Sequence, residues 1–285
     1  MAGDVERLRA YVEYFRDMGI HDFYRLGEPV FSEPDTGVVV AETVAEPLPV
    51  RAVPVPAVAA PVVPSRANFL EPPIAKLVSF DNLAPLPEVR VAAAEKAEAL
   101  RAIQEDIGDC TRCPLAYAGR RKIVFADGDA NARLLFVGEG PGADEDASGV
   151  PFVGKAGQLL NNMIGAMGLK REEVYIANIV KCRPPANRAP EPVEANTCSQ
   201  FLLRQIDVVQ PQVIVALGAT AATYLLGVKQ SLASLRGKWH GCRGAKLVVT
   251  YHPAFLLRDP RQKGEAWKDL QMVMKEMGLK GPAKG

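Results

Sequence analysis

The sequence predicts an α/β fold in which helices cover both faces of a parallel sheet. Four short apolar runs, each long enough for one buried strand, support this prediction: Leu134–Val137, Val174–Ile179, Val213–Leu217 and Leu247–Thr250. Segments of helical length separate the runs, and strands that alternate with helices are typical of parallel sheets. Ligands of such sheets bind beyond the carboxyl ends of the strands. We therefore expect the functional site where these four runs end.

The chain before residue 93 differs in composition from the rest. Val5–Met18 has apolar residues at helical spacing and predicts a short amphipathic helix. Of the 23 prolines, 12 lie between residues 29 and 92, a density that opposes both helix and sheet. Phe69–Leu70 and Leu77–Phe80 are candidate docking segments within this stretch. We predict a short helical element (1–28), a largely disordered, Pro/Ala/Val-rich tether (29–92) and one folded domain (93–285), which the helix Ala93–Ile107 opens.

The net charge of +1 conceals an asymmetry: residues 1–92 sum to −5 and the remainder to +6. A mildly basic folded part is compatible with nucleic acid, whereas DNA would repel an acidic tether. The N-terminal helix is therefore a candidate motif for a protein partner, with folding back onto the domain as the alternative. No secretory signal is visible, and the apolar run Ala52–Val63 is too short and proline-broken to span a membrane. We expect a cytoplasmic, nucleoid-associated monomer.

The first apolar run leads into a turn that suits a small planar ligand. Gly138, Gly140 and Gly142 allow the backbone to approach a ligand closely, and Glu139 lies inside the turn. Phe152 brings an aromatic ring beside the same loop, and Lys155–Met167 then predicts a helix. The alternative is a solvated acidic loop that only joins a strand to a helix. The spacing matches neither a dinucleotide fingerprint nor a P-loop.

The later runs also end at polar or glycine residues. Asn178 lies at the end of the second run, Gly218-Ala219-Thr220 follows the third, and Tyr251-His252-Pro253-Ala254 follows the fourth. Since the carboxyl ends of parallel strands meet at one edge of the sheet, an acid, an amide and a histidine converge there. Such convergence predicts a catalytic pocket.

Four of the five cysteines form a second candidate site. Cys110 and Cys113 make a C-x2-C pair, while Cys182 and Cys198 lie far downstream. Disulfides are uncommon in cytoplasmic proteins, which favours a metal site. One close pair with two dispersed thiols suits a [4Fe–4S] cluster of structural role; zinc or plain buried thiols are the alternatives. Cys242 is expected to take no part.

The ordered motifs resemble the iron–sulfur (family 4) uracil-DNA glycosylases of bacteria and archaea. They are C-T-R-C-P-L, V-G-E-G-P-G-A-D-E-D, G-V-P-F-V-G-K-A-G-Q-L-L, Y-I-A-N-I-V-K-C-R-P-P, L-G-A-x-A-A, R-G-K-W and Y-H-P-A, and the resemblance covers about residues 103–275. It implies a three-layer α/β/α sandwich on a four-stranded parallel sheet. It also implies an enzyme of base excision repair that cleaves uracil from DNA and leaves an abasic site.

The resemblance implies how a flipped uracil would be recognised. Phe152 would stack on the base. Asn178 would donate to O4 and accept from N3–H, which distinguishes uracil from cytosine. The backbone at Gly140 would crowd the edge of the base, so that a tight wall refuses the 5-methyl group of thymine.

The resemblance also implies the catalytic groups. His252 would donate a hydrogen bond to O2 as negative charge gathers on the leaving uracil. A carboxylate near the sugar would stabilise the cation and orient water, with Glu139 as the first candidate and Glu145 as the second.

A basic surface is expected to meet the DNA backbone around this pocket. It consists of Lys181, Arg183, Arg188, Arg236, Lys238, Arg258 and Arg261. Leu256 and Leu257 would form the wedge that fills the gap left by the flipped base. Two alternatives remain: a non-enzymatic iron–sulfur module that binds DNA or a polymerase, and a relative that captures uracil covalently through an extra histidine, which this chain lacks after Cys182.

Overall fold

The computed structural model describes residues 77–281. The predicted helix Val5–Met18 and most of the predicted tether lie outside the described residues. The described part contains one sheet with the strand order β1-β3-β2-β4-β6-β5. Its strands are β1 (Asp127–Gly128), β2 (Leu134–Gly138), β3 (Tyr175–Asn178), β4 (Val213–Leu217), β5 (Trp239–Cys242) and β6 (Ala245–Thr250).

The four predicted strands are confirmed as the centre of this sheet. β3, β2, β4 and β6 pair in parallel in that order. The sheet has six strands rather than four because β1 and β5 add antiparallel edges to β3 and β6. Neither edge strand has an apolar run: β1 is only two residues long, and β5 reads Trp-His-Gly-Cys.

Helices cover both faces of the sheet, as predicted. They are α1 (Phe80–Leu83), α2 (Lys96–Ile107), α3 (Ala143–Ser148), α4 (Lys155–Ala166), α5 (Pro192–Val209), α6 (Ala219–Leu226), α7 (Leu232–Leu235), α8 (Pro253–Arg258) and α9 (Lys263–Met277). Side chains alternate along the strands. In β2, Leu135 and Val137 pack against α2, α5 and α6, while Leu134 and Phe136 pack against α4 and α9. Among the described residues, no helix has the length and apolarity needed to cross a membrane.

The end of the predicted tether packs against the domain that follows it. Phe80, in the candidate docking segment Leu77–Phe80, is only 1% exposed and belongs to the core. The buried guanidinium of Arg243 pairs with Asp207 at 2.6 Å and donates to the carbonyl oxygens of Phe80, Ala84 and Pro85. Residues 77–85 are therefore fixed to the sheet by both apolar and polar contacts.

Candidate functional site

A pocket of about 360 Å³ lies beyond the carboxyl ends of β2, β3 and β6. It brings together all six residues that the sequence predicted as catalytic or substrate-binding: Glu139, Gly140, Glu145, Phe152, Asn178 and His252. Pro184, Arg188, Phe255 and Arg258 complete much of the remaining wall. The pocket therefore lies where strand-end positions predicted it.

Asn178 ends β3 and carries a buried hydrogen-bond acceptor. The residue is 1% exposed, and its Oδ1 has no hydrogen-bond partner among residues 77–281. A Cβ at Gly138 would come within 2.4 Å of that oxygen, so only glycine fits at the end of β2. Buried polar atoms are nearly always paired, which makes this oxygen a candidate ligand contact.

His252 is oriented by the first turn of α8. Its Nδ1 accepts a hydrogen bond from the Ala254 amide at 3.1 Å, so a neutral ring carries its proton on Nε2. Burial, together with the charge of Arg258, lowers the pKa of His252 to about 4. The histidine is thus neutral at physiological pH, with its proton on Nε2.

Phe152 forms one wall of the pocket in an unfavourable backbone conformation. Its φ is +53°, in the left-handed region that bulky residues avoid, at a cost of about 1–3 kcal/mol. The ring is 5% exposed and lies 5.6 Å from the His252 ring, centroid to centroid. A Cβ at Gly157 would lie 1.8 Å from the Phe152 carbonyl oxygen, so helix α4 tolerates only glycine beneath this residue.

The two candidate carboxylates have different environments. Both oxygens of Glu145 are engaged: Oε2 accepts from the Gly142 amide at 3.0 Å, and Oε1 accepts from Val153 and Gly154 at 2.9 and 3.0 Å. In Glu139, by contrast, Oε2 accepts from the Thr220 hydroxyl, and no described hydrogen bond involves Oε1. Glu145 therefore joins the backbone at Gly142 to that at Val153 and Gly154. In Glu139, Oε1 is available to accept a hydrogen bond from a ligand.

Sequence reasoning missed two residues that support this wall. Thr220, at the start of α6, is the x of the L-G-A-x-A-A motif. Its position in the sequence did not indicate a contact with Glu139. Arg171 donates to the carbonyl oxygens of Pro151 and Phe152 at 2.6 and 3.1 Å. It belongs to none of the recognised motifs, and no signal in the sequence linked it to the pocket.

Two of the residues predicted to contact DNA are buried. Lys181 is 1% exposed, and its Nζ donates to Gln205 Oε1 at 2.6 Å and to the Asn178 carbonyl at 3.1 Å. Burial lowers the pKa of this amine to about 8. It anchors the backbone of Asn178 and cannot reach a phosphate.

The predicted wedge is likewise reduced to one residue. Leu256 is 1% exposed and packs inside, whereas Leu257 is 44% exposed. Arg258 is exposed at the pocket wall, and the half-buried Arg183 donates to Asn187 Oδ1 at 2.8 Å. Leu257, Arg258 and Arg183 therefore remain available to a ligand at the surface.

The four predicted cysteines line one small pocket on the α2/α5 side of the sheet. Cys110 and Cys113 follow α2, Cys182 follows β3, and Cys198 lies in α5. Burial, with a smaller contribution from the neighbouring thiols, raises the pKa of Cys113 and Cys182 and raises that of Cys198 to about 12. Within residues 77–281, no group of three or more His, Cys, Asp or Glu converges tightly enough to hold a single metal ion.

Nitrogen donors surround these sulfur atoms. Arg112 donates to Cys110 Sγ at 3.7 Å, Arg120 to Cys182 Sγ at 3.4 Å, and the Lys181 amide to Cys198 Sγ at 3.3 Å. Cys242, in contrast, lies among Leu225, Asp81 and Arg243, apart from the other four. Four thiols and nearby cations form a donor set suited to an anionic thiolate-bound group.

The comparisons with known proteins agree with this geometry. The family model described as the uracil DNA glycosylase superfamily matches residues 125–271. A type-4 uracil-DNA glycosylase of Thermotoga maritima is 46% identical over 168 residues, which cover 58% of this chain and 86% of the relative. The type-4 enzyme of Pyrobaculum aerophilum is 41% identical, covering 61% and 92%. That of Archaeoglobus fulgidus is 38% identical, covering 65% and 96%.

The matched segments cover most of each relative's length, from 86% to 96%. On these matches, the chain belongs to the uracil-DNA glycosylase superfamily and, within it, to the type-4 uracil-DNA glycosylases.

Proposed function

We propose that this protein is a uracil-DNA glycosylase, which flips uracil out of DNA and hydrolyses its N-glycosidic bond to leave an abasic site for repair. The observation that carries the proposal is the unpartnered Oδ1 of Asn178, buried in the wall of the pocket. Leaving such an acceptor without a partner costs about 1–3 kcal/mol. A ligand that donates a hydrogen bond here would offset that cost.

The amide of Asn178 accounts for the choice of uracil over cytosine. Uracil presents an N3–H donor and an O4 acceptor on one edge, which match the oxygen and the nitrogen of a side-chain amide. Cytosine presents an N3 acceptor and an amino group instead, so both contacts become repulsive for an amide held in this orientation. A site built to hydrogen-bond one substrate rejects an analogue with mismatched groups by large factors.

The walls of the pocket account for stacking and for the exclusion of thymine. Phe152 provides the flat surface on which the extruded base stacks. Gly140 lines the pocket and lies so close to Val180 that a Cβ would come within 2.7 Å of Cγ2, so only glycine fits where the backbone would face the base edge. A tight edge leaves no room for the 5-methyl group of thymine.

The chemistry follows from His252 and Glu139. Cleavage of the glycosidic bond leaves an oxocarbenium-like sugar and an anionic uracil. His252 Nε2–H donates to O2 as charge gathers there, a preorganised contact of the kind that contributes most to such rates. Glu139 stabilises the sugar cation and orients the attacking water through its second oxygen.

The exposed residues beside the pocket account for DNA binding. Leu257 enters the stack where the base has left, which is the usual role of an apolar wedge. Arg258 and Arg183 meet phosphates, which fixes the register of the duplex without reading its sequence.

The same proposal includes a [4Fe–4S] cluster held by Cys110, Cys113, Cys182 and Cys198. The all-cysteine donor set and the N–H donors aimed at three of the sulfurs fit an anionic cluster. When bound, the cluster provides a cross-link and not the chemistry of bond cleavage. It would join the end of α2 to α5 and to Cys182, four residues after Asn178.

Release of free uracil from an end-labelled oligonucleotide tests the proposal. We expect release from a uracil-containing strand and none from matched strands that carry thymine or cytosine. Binding without release would instead support a non-enzymatic module. A protein–DNA adduct that survives denaturation would support covalent capture.

A further inference from the structure

The intrinsic backbone preferences of Phe152 do not favour the conformation that its loop adopts. A positive φ of +53° at an aromatic residue is unfavourable, and the adjacent Phe152 carbonyl is pressed against Gly157 of α4. Contacts from elsewhere must hold the backbone in this conformation. The placement of the ring beside His252 depends on those contacts.

Arg171 supplies contacts that reach this loop from outside the pocket. Its Nη2 donates to the Pro151 carbonyl at 2.6 Å, and its Nη1 donates to the Phe152 carbonyl at 3.1 Å. The guanidinium thus binds two consecutive carbonyl groups at the residue with the unfavourable φ. A planar fork with several fixed donors suits this task, whereas a lysine amine does not.

Two further acceptors fix the guanidinium itself. Nε donates to Asp127 Oδ2 in β1 at 2.7 Å, and Nη1 also donates to Asn161 Oδ1 in α4 at 2.9 Å. Arg171 therefore joins the edge strand and α4 to the Phe152 loop. It is absent from the wall of the pocket, so any effect on the base passes through Phe152.

We propose that Arg171 is a positioning residue that holds the Phe152 ring in the orientation that stacks on the extruded base. This inference rests on the proposed function, because it assumes that Phe152 is the stacking surface. Arg171→Lys retains the charge but cannot serve four acceptors. We expect kcat/KM for uracil excision to fall by about 10–100-fold, the scale of a small misplacement of a positioning group.

A double-mutant cycle separates positioning from general support of the fold. Arg171→Lys, Phe152→Ala and the double variant are compared for kcat/KM, with thermal melting as a check on folding. The expected result is that Arg171→Lys lowers kcat/KM in the wild-type background and has no further effect when Phe152 is alanine. Arg133→Lys is the matched control, because Arg133 also binds a carbonyl and Gln212 but lies before β2, at the other end of the sheet.

Asn161→Ala provides a second variant should Arg171→Lys melt too early. Asn161 is exposed, so its removal spares the core, and we expect a smaller loss that also disappears with Phe152→Ala. If the losses in kcat/KM of the single variants multiply in full in both double variants, the positioning role of Arg171 is wrong, while the proposed function stands. An unchanged rate in Phe152→Ala would overturn the stacking role of Phe152 in the proposed function, and the inference with it.

Discussion

The base pocket and the cysteine pocket are built from neighbouring segments of the chain but differ in the hydrogen bonding of their polar atoms. In the base pocket, the buried Oδ1 of Asn178 has no hydrogen-bond partner in the described part of the chain. Around the cysteines, nitrogen donors approach three of the four sulfurs. The first arrangement suits a ligand that binds and leaves, and the second suits a group that stays. Variants of the cysteine pocket should therefore change stability and activity together, whereas variants of the base pocket should change activity alone.

The largest effect is expected from Cys198→Ser, because Cys198 joins α5 to the proposed cluster. A bound [4Fe–4S] cluster would colour the protein brown. We expect loss of that colour and of the iron, and a fall in melting temperature of about 10 °C or more, since metal binding contributes directly to folding. Excision should fall with it. Iron analysis, visible absorption and thermal melting measure these changes. Cys242→Ser is the matched control, since that thiol lies apart from the four. Full colour and an unchanged melting temperature in Cys198→Ser would show that Cys198 does not hold the proposed cluster.

Asn178→Asp should reduce activity without a comparable loss of colour. The substitution replaces the donor to O4 with a repelling oxygen, at a cost of about 2–4 kcal/mol in the transition state. Single-turnover excision of uracil gives the rate, and the visible spectrum shows whether the cysteine pocket is intact. Wild-type kcat/KM in this variant would contradict the role given to Asn178. Loss of the cluster with it would break the contrast between the two pockets.

A smaller effect is expected at Thr220, whose hydroxyl donates to Glu139. Thr220→Val removes that hydrogen bond at nearly constant volume and should lower kcat/KM about tenfold, the scale of one hydrogen bond to a charged group. Thr220→Ser keeps the hydroxyl and should remain close to wild type. Steady-state kinetics of the pair measure the difference. Equal rates in the two variants would show that Glu139 does not depend on this contact.

The smallest effect is expected from pH: the excision rate should not change near pH 6.5 through titration of His252. With its pKa lowered from 6.5 to about 4, neutral His252 contributes stability that is fully present above pH 6.5 and is lost as the pH falls toward 4. The excision rate should therefore pass through pH 6.5 without an inflection from this residue. A pH–rate profile of wild type and His252→Asn tests this. An inflection between pH 6 and 7 that His252→Asn abolishes would mean that the histidine titrates normally.

The sheet and the base pocket were predictable because their signals are local. An apolar run marks each central strand, and a polar or glycine residue directly after it marks the rim, as with Glu139 and Asn178. The burial of Lys181 and Leu256 was not predictable in the same way. Lys181 is buried because Gln205, 24 residues away in α5, supplies an oxygen. Leu256 and Leu257 are neighbours in α8, and only the packing of that helix decides which one faces solvent.

The role of Arg171 depends on contacts that are even more distant in sequence. Its acceptors come from β1, from α4 and from the Phe152 loop, up to 44 residues away. No short motif joins these segments. The fold and the residues that line the base pocket could thus be predicted, whereas the contacts that hold them in position required the structure.

We propose that Asn178 Oδ1 accepts a hydrogen bond from N3–H of the extruded base. The most direct test compares excision of uracil and of 3-methyluracil from otherwise identical oligonucleotides by the wild-type protein. We expect the methylated base to be released at least about 100-fold more slowly, because the donor is replaced by a group that the buried oxygen repels. Asn178→Ala should reduce that difference. Equal rates for the two bases in the wild-type protein would show that Asn178 Oδ1 does not accept a hydrogen bond from N3–H.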